Sequence, residues 1–252
     1  GQVAFTGGIN MADEYINVKS RFGHWKDSAI RLEGDAVWSM TVSFLSMWDF
    51  TENSPEDFDA YRPEPSAWSE VGYIQPYQDC PWDNEPVGLS VYLNLINRAK
   101  RYVYITTPYL VIDYSITVAL TTAAKSGVDV RIITPHIPDK KTVFEVTRAY
   151  YEELLEAGVK IYEYTPGFIH SKNFVVDDCY ATVGTVNLDY RSMFLHFENG
   201  VLLYGTPTVH DIRSDFLSTQ EKSVEVTLEQ CKSVPYYHRL VREILQVFAP
   251  LL

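Results

Sequence analysis

Between Tyr102 and Tyr164 the apolar residues alternate between two periods. The run Tyr102–Thr106 is β-branched and aromatic and predicts a strand. Residues 114–126 carry apolar side chains at helical spacing and close on Gly127. A second strand follows over 128–134, ended by Pro135, then a helix over 144–157, closed by Gly158, and a third strand over 159–164. This order predicts strands joined by right-handed crossovers, with helices on the faces of the sheet. Three more strand-like runs, 170–177, 180–187 and 197–204, follow with short turns. They predict antiparallel additions, and therefore a mixed sheet in an α/β fold.

Residues 51–86 break this pattern. They hold Pro55, Pro63, Pro65, Pro76, Pro81 and Pro86, many acidic residues, and the aromatics Tyr61, Trp68, Tyr73 and Trp82. The stretch reads as a connection, ordered in part by its aromatic anchors, between a unit at 1–50 and a larger one at 87–252.

An internal repeat links the two units. Residues 3–10 resemble 180–187, and 31–34 resemble 202–205. A helical apolar pattern follows each, at 37–48 and 209–217. Aligning Gly34 with Gly205 sets Asp27 opposite Glu198. The second copy is complete, whereas 1–50 reads as the tail of the first. That tail is expected to form a piece beside the large sheet and to leave an edge or an apolar face open to self-association.

Chemistry concentrates in the second copy. His170 and Lys172 stand two apart in an apolar run, Asp177 follows five residues later, and Asn187 lies on the next run. Alternate strand positions share a face, so His170 and Lys172 are expected to project together, with Asn187 beside them if the runs pair. An imidazole, a fixed positive charge and an amide then converge on a site suited to a phosphate oxyanion. The imidazole needs a partner on its other nitrogen. Glu198, which heads the following strand and has a repeat counterpart in Asp27, is the residue expected to supply it. Asp177, at a strand-to-turn junction, is expected to organise that turn without touching substrate. A lone His-x-Lys arises easily by chance, and the case rests on the ordered set with its partial duplicate. His24, His136, His196, His210 and His238 lack such company, and nothing near Cys179 would lower its pKa.

Composition narrows the choice of substrate. The chain has 252 residues, 46% of them hydrophobic, which is ample for a large core. A formal net charge of -12 argues against tight binding to nucleic acid, which draws on Lys and Arg. Three widely spaced cysteines show no metal-ligand pattern and read as reduced thiols. No apolar run approaches the roughly 20 residues of a membrane span, and no signal peptide is visible.

The order His170-x-Lys172-x(4)-Asp177 with Gly184-x-x-Asn187 resembles the phospholipase D superfamily motif. Thr106-Thr-Pro-Tyr-Leu110, Gly127-Val-Asp-Val-Arg131, the run 150–162, Asn187-Leu-Asp-Tyr-Arg-Ser192 and Phe197-Glu198 resemble the bacterial cardiolipin synthases. So do Phe5-Thr-Gly-Gly-Ile-Asn-Met-Ala-Asp-Glu-Tyr15, Trp25-Lys-Asp27, Leu32-Glu-Gly34 and Pro250-Leu-Leu252. The resemblance implies a phospholipase D-like mixed β-sheet flanked by helices on both faces, an α-β-α sandwich, plus the tail of a second such unit. It implies an enzyme that joins two phosphatidylglycerols and releases glycerol by a ping-pong route through a phosphohistidine, with no metal or organic cofactor. Residue by residue, it gives His170 acid and base duty, sets Lys172 and Asn187 on phosphate, and has Glu198 orient His170. Asn10 belongs to the first motif, within reach of the His170 site, and Asp27 would orient the first motif's histidine. On this reading the chain is the C-terminal part of the enzyme. It lacks the first motif's histidine and lysine and the family's membrane-spanning segment, and is expected to be inactive alone. The full-length protein would work at the cytoplasmic membrane, with phosphatidylglycerol and an anionic membrane surface as partners. A phosphodiester hydrolase of the same superfamily and a catalytically silent domain are the alternatives.

Overall fold

The computed structural model describes residues 1–63 and 71–251; Pro65 and Trp68 of the expected connection, and Leu252, lie outside the described residues. The chain opens with β1 (Val3–Gly7), β2 (Ala29–Glu33) and α1 (Ala36–Glu52). It continues through β3 (Tyr73–Asp79), α2 (Val87–Arg98), β4 (Tyr102–Thr106), β5 (Leu110–Val111), α3 (Tyr114–Lys125) and β6 (Asp129–Pro135). Then come α4 (Lys141–Ala149), α5 (Tyr151–Glu156), β7 (Lys160–Tyr164), β8 (Asn173–Val176), β9 (Tyr180–Gly184), β10 (Leu188–Asp189) and α6 (Tyr190–Phe194). The last elements are β11 (Glu198–Tyr204), α7 (Thr208–Gln220), β12 (Ser223–Val226), α8 (Leu228–Lys232) and α9 (Tyr236–Val247).

Eight strands build one mixed sheet in the order β12-β7-β6-β4-β8-β9-β11-β3. β4, β6 and β7 run parallel, and the other strands join antiparallel. Local signals set the parallel core. The Asp113 carboxylate accepts from the Ile116 backbone N–H at 3.0 Å to start α3, and the chain leaves that helix through Gly127 at φ +92°. Strand alternation then divides the core in two. Val103, Ile105, Ile132, Phe174 and Val176 pack with α2 to α5 on one face. Tyr104, Ile133, Val175, Val183 and Leu203 pack with α7, Leu32 and Val37 on the other. Helices therefore cover both faces, as expected.

The expected connection is partly sheet. β3 pairs along β11 from Glu198↔Asp79 to Tyr204↔Tyr73 and forms an edge of the large sheet. Pro76 lacks an N–H to share, and an edge strand can carry it because one side has no neighbour to satisfy. The expected helix over 144–157 is divided into α4 and α5 at Tyr150.

The repeat is visible in strand register. β1 and β2 pair antiparallel with Gly7 opposite Ala29, and β9 pairs β11 with Gly184 opposite Gly200, the positions that the repeat equates. Each hairpin leads into a helix, α1 or α7. β1 and β2 form their own sheet, separate from that of Tyr102–Thr106, and pack against β9 and β11. On α1, Phe44, Met47, Trp48 and Phe50 are exposed, an apolar face of the kind expected there.

Asp177 organises its turn. Its carboxylate accepts from the backbone N–H groups of Lys100 at 2.7 Å, Arg101 at 2.9 Å and Tyr102 at 2.8 Å. This ties the β8–β9 turn to the start of β4, away from His170. Removing an ionised acceptor from backbone donors costs on the order of 3 kcal/mol in total. Asp177→Ala is expected to lower urea-unfolding stability by about that amount; an unchanged midpoint would refute the assignment.

Candidate active site

The backbone of 23–27 runs beside 167–170 and delivers the site's acid. Lys26 donates its N–H to the Phe168 carbonyl at 2.9 Å, and His170 donates to the Lys26 carbonyl at 2.7 Å. His170 and Lys172 therefore lie outside the sheet, because their segment pairs with 24–26 and β8 begins only at Asn173. The side chains still converge. His170 Nδ1 stands 2.9 Å from Asp27 Oδ2.

That contact corrects the expected pairing. Asp27, not Glu198, holds His170, because the two repeats face each other and the carboxylate comes from across the interface. A carboxylate can only accept, so Nδ1 carries the proton and Nε2 the lone pair. The Trp25 indole N–H also donates to Asp27, at 3.4 Å. Trp25 and Tyr15 enclose the imidazole, with ring centroids 5.2 and 5.3 Å away.

Lys172 is 3% exposed, and its Nζ stands at the edge of the His170 ring, 2.8 Å from Nδ1 and 2.9 Å from Nε2, and donates to the His170 carbonyl at 2.6 Å. Burial pushes the ammonium down to about 8, opposed by the carboxylates of Asp27, Glu198, Asp189 and Asp139. His170 is lowered from its ordinary value chiefly by burial, with the Lys172 charge adding to it against the Asp27 bond. The approach is close enough to require glycine at position 8. A Cβ there would sit 2.3 Å from Asp27 Oδ1 and 2.9 Å from Lys172 Nζ.

Asn10, exposed in the loop after β1, is linked to His170 through Tyr15. Its amide donates to the Tyr15 hydroxyl at 2.9 Å, and Tyr15 packs edge-on to His170. Asn187 follows β9 with its amide oxygen buried and without a partner among the described residues. Its neighbours are pinned: the Val186 carbonyl accepts from Tyr92 at 2.6 Å, and the Leu188 N–H donates to Thr107 at 3.2 Å. Glu198 heads β11, accepts from the Thr185 hydroxyl, and is pushed up to about 7, chiefly by burial. It borders a cleft of about 1000 Å³ walled by Phe5, Phe44, Met47, Phe50, Trp82 and Phe197. Asp177 does not join the cluster. Tyr15, Trp25 and Asp139, which receives the Tyr109 hydroxyl at 2.6 Å, were not singled out from the sequence. For Tyr15 and Trp25 the one signal was their place in the segments 5–15 and 25–27 that carry the resemblance.

A family model described as cardiolipin synthase, PLD-like domain, matches residues 92–219. An uncharacterised protein of Streptococcus mutans is 48% identical, covering 100% of this chain and 54% of its own length. A cardiolipin synthase of Alkalihalophilus pseudofirmus is 38% identical, covering 100% of this chain and 50% of its own. The chain spans about half the length of these curated relatives. In three dimensions it resembles the crystal structure of phosphatidylserine synthase from Haemophilus influenzae, with a TM-score of 0.72 at 17% identity. That likeness of fold covers 99% of this chain and 66% of the other.

Proposed function

This chain belongs to the cardiolipin synthase, PLD-like domain family, and from that membership we propose that its His170 site transfers a phosphatidyl group between phospholipids. The observation that carries the reading is an imidazole held at Nδ1 by Asp27, with the buried Lys172 ammonium at the edge of its ring. Its lowered pKa leaves a lone pair on Nε2 at neutral pH, which suits attack on phosphorus better than the acid duty that the resemblance implied. In this mechanism the Nε2–P bond forms and the bond from phosphorus to the headgroup glycerol oxygen breaks. A second group gives that oxygen its proton. Lys172 neutralises a nonbridging oxygen, and Asn187 takes a substrate hydrogen-bonding group. The hydroxyl of a second phosphatidylglycerol then attacks the phosphohistidine, giving its proton back to that second group, as the P–Nε2 bond breaks to release the imidazole and form cardiolipin.

The repeat gives Glu198 the place of Asp27, so its carboxylate is positioned to hold a second imidazole as Asp27 holds His170. Among the described residues, His170 is the imidazole that meets Lys172. The chain alone is therefore expected to bind a phosphodiester without turning it over. The test uses the full-length protein, labelled phosphatidylglycerol in mixed micelles, and acid-labile, base-stable phosphoenzyme trapping. Label on the peptide bearing His170, lost in His170→Ala together with cardiolipin formation, is the expected result. Label elsewhere that survives His170→Ala overturns the nucleophile assignment, and phosphatidic acid as the sole product overturns transfer.

Phosphodiester binding should depend on pH through Lys172. Glycerophosphoglycerol keeps one negative charge throughout, so the ammonium is the group that changes as pH rises through about 8. Affinity measured by calorimetry is expected to be roughly tenfold weaker at pH 9 than at pH 7. Lys172→Met should bind weakly at both. A flat profile in the unaltered chain would exclude Lys172 as the anion's partner.

A further inference from the structure

Helix α9 is inverted. Tyr237, Leu240, Val241, Ile244, Val247 and Phe248 recur at helical spacing and are all exposed, Tyr237 at 65% and Val247 at 76%. The opposite side, mostly polar apart from Leu245, which packs on the core, is turned to the protein. Arg239 donates to both oxygens of Glu152 at 3.1 Å, and Arg242 donates to Glu145 at 2.8 Å. An amphipathic helix on a domain in water ordinarily buries its apolar stripe and wets its polar one. Here ion pairs and the single residue Leu245 hold the helix in place, and most of its apolar side chains face outward.

We propose that this outer face of α9 rests on a lipid bilayer, as an interfacial helix that brings the His170 site to phospholipid. The inference rests on the reading that the substrate is a lipid. Three observations favour a bilayer over a second copy of the chain. The first is size: a 12-residue helix is about 18 Å long and roughly 10 Å across, well short of the ~800 Å² per partner that stable protein interfaces bury. A helix lying in the headgroup region needs only its apolar side covered. The second is chemistry. The stripe is aliphatic in its middle, with Tyr236 and Tyr237 at one end and Phe248 at the other, and tyrosine rings favour the membrane–water boundary. The third is continuity. The turn Ala249–Leu251 after α9 packs on α6, which begins directly after Asp189, and exposed Phe194 and Leu195 extend the apolar surface toward the site.

Charge does not drive this contact. The chain carries a net charge of -12, and Arg239 and Arg242 are already paired. Binding should therefore persist at high salt and on zwitterionic lipid, unlike attachment through a basic patch.

The test is flotation of the chain with phosphatidylcholine vesicles at low and high salt. Two double variants are compared: Leu240→Ser with Ile244→Ser on α9, and Phe44→Ser with Trp48→Ser on the exposed face of α1. All four positions are exposed, and circular dichroism melting checks that the fold is kept. Salt-insensitive binding that falls at least about tenfold in the α9 variant, and far less in the α1 variant, is expected. No binding by the unaltered chain, binding lost only in the α1 variant, or binding abolished by salt would overturn the proposal. So would an α9 variant that merely converts a dimer to a monomer by light scattering. Glycerophosphoglycerol binding on the same samples keeps the two readings apart. Vesicle binding without phosphodiester binding would undo the site assignment alone, and the reverse result would undo the α9 assignment alone.

Discussion

Replacing Asp27 by asparagine is expected to lower phosphatidyl transfer in the full-length protein by on the order of 10²–10⁴-fold, with the fold kept. In the proposed mechanism the Asp27 carboxylate, 2.9 Å from Nδ1 of His170, fixes the proton there and supports the positive charge that the ring would gain on bonding phosphorus. An asparagine of the same shape removes that charge. It can also turn its NH₂ toward Nδ1, which would place the proton on Nε2 and occupy the lone pair. Nitrogen NMR of the ring would show the tautomer directly. Full activity in Asp27→Asn, or an unaltered tautomer with activity lost, would break the proposed link between this carboxylate and the imidazole. The substitution also separates Asp27 from Glu198, because only the former bonds His170.

The second large effect concerns stability, and its sign is opposite to that of a carboxylate whose pKa the folded state lowers. Glu198 is pushed up to about 7 in the folded chain, against an ordinary value of 4.5, chiefly by burial. Between those values the folded state binds more protons than the unfolded state, so stability falls as pH rises from about 4.5 to 7. Above pH 7 the full cost is present, on the order of 3 kcal/mol at 1.36 kcal/mol per pKa unit. Below about 4.5 the carboxyl is protonated in both states and the cost disappears. Glu198→Gln is expected to stabilise the chain by about that amount at pH 8 and to leave stability near the unaltered value at pH 4.5. Urea unfolding at the two pH values is the measurement. A glutamine variant less stable at both, by equal amounts, would show that the carboxylate is not buried at a cost. In the full-length protein the same substitution should lower transfer, since glutamine cannot support charge on an imidazole.

Much of the fold was legible because strand and helix periods are local properties. The 102–164 series, the glycines closing α3 and α5, and the antiparallel strands after residue 170 follow from side-chain spacing and turn chemistry. β3 was read as connection because Pro76 and its neighbours argue against a strand, and only an edge position makes that proline tolerable. The departure of His170 and Lys172 from the sheet was hidden for a related reason. Their apolar surroundings look like strand, but the backbone hydrogen bonds of Phe168 and His170 go to Lys26, far away in the chain.

By itself the sequence singled out the candidate groups His170, Lys172 and Asn187, and a repeat that equates Asp27 with Glu198. The backbone bonds of Asp177 were legible too, because a carboxylate at a strand-to-turn junction acts on nearby backbone. Only the tertiary structure decided which acid serves which imidazole. A repeat aligns Asp27 and Glu198 equally well whether each acts within its own unit or across to the other. Packing of the β1–β2 sheet against β9 and β11 turns Asp27 toward His170 and leaves Glu198 against Thr185. The same holds for α9. Its spacing marks two faces, but which one points outward is set by Glu145 and Glu152, carboxylates on other helices that ion-pair with its arginines.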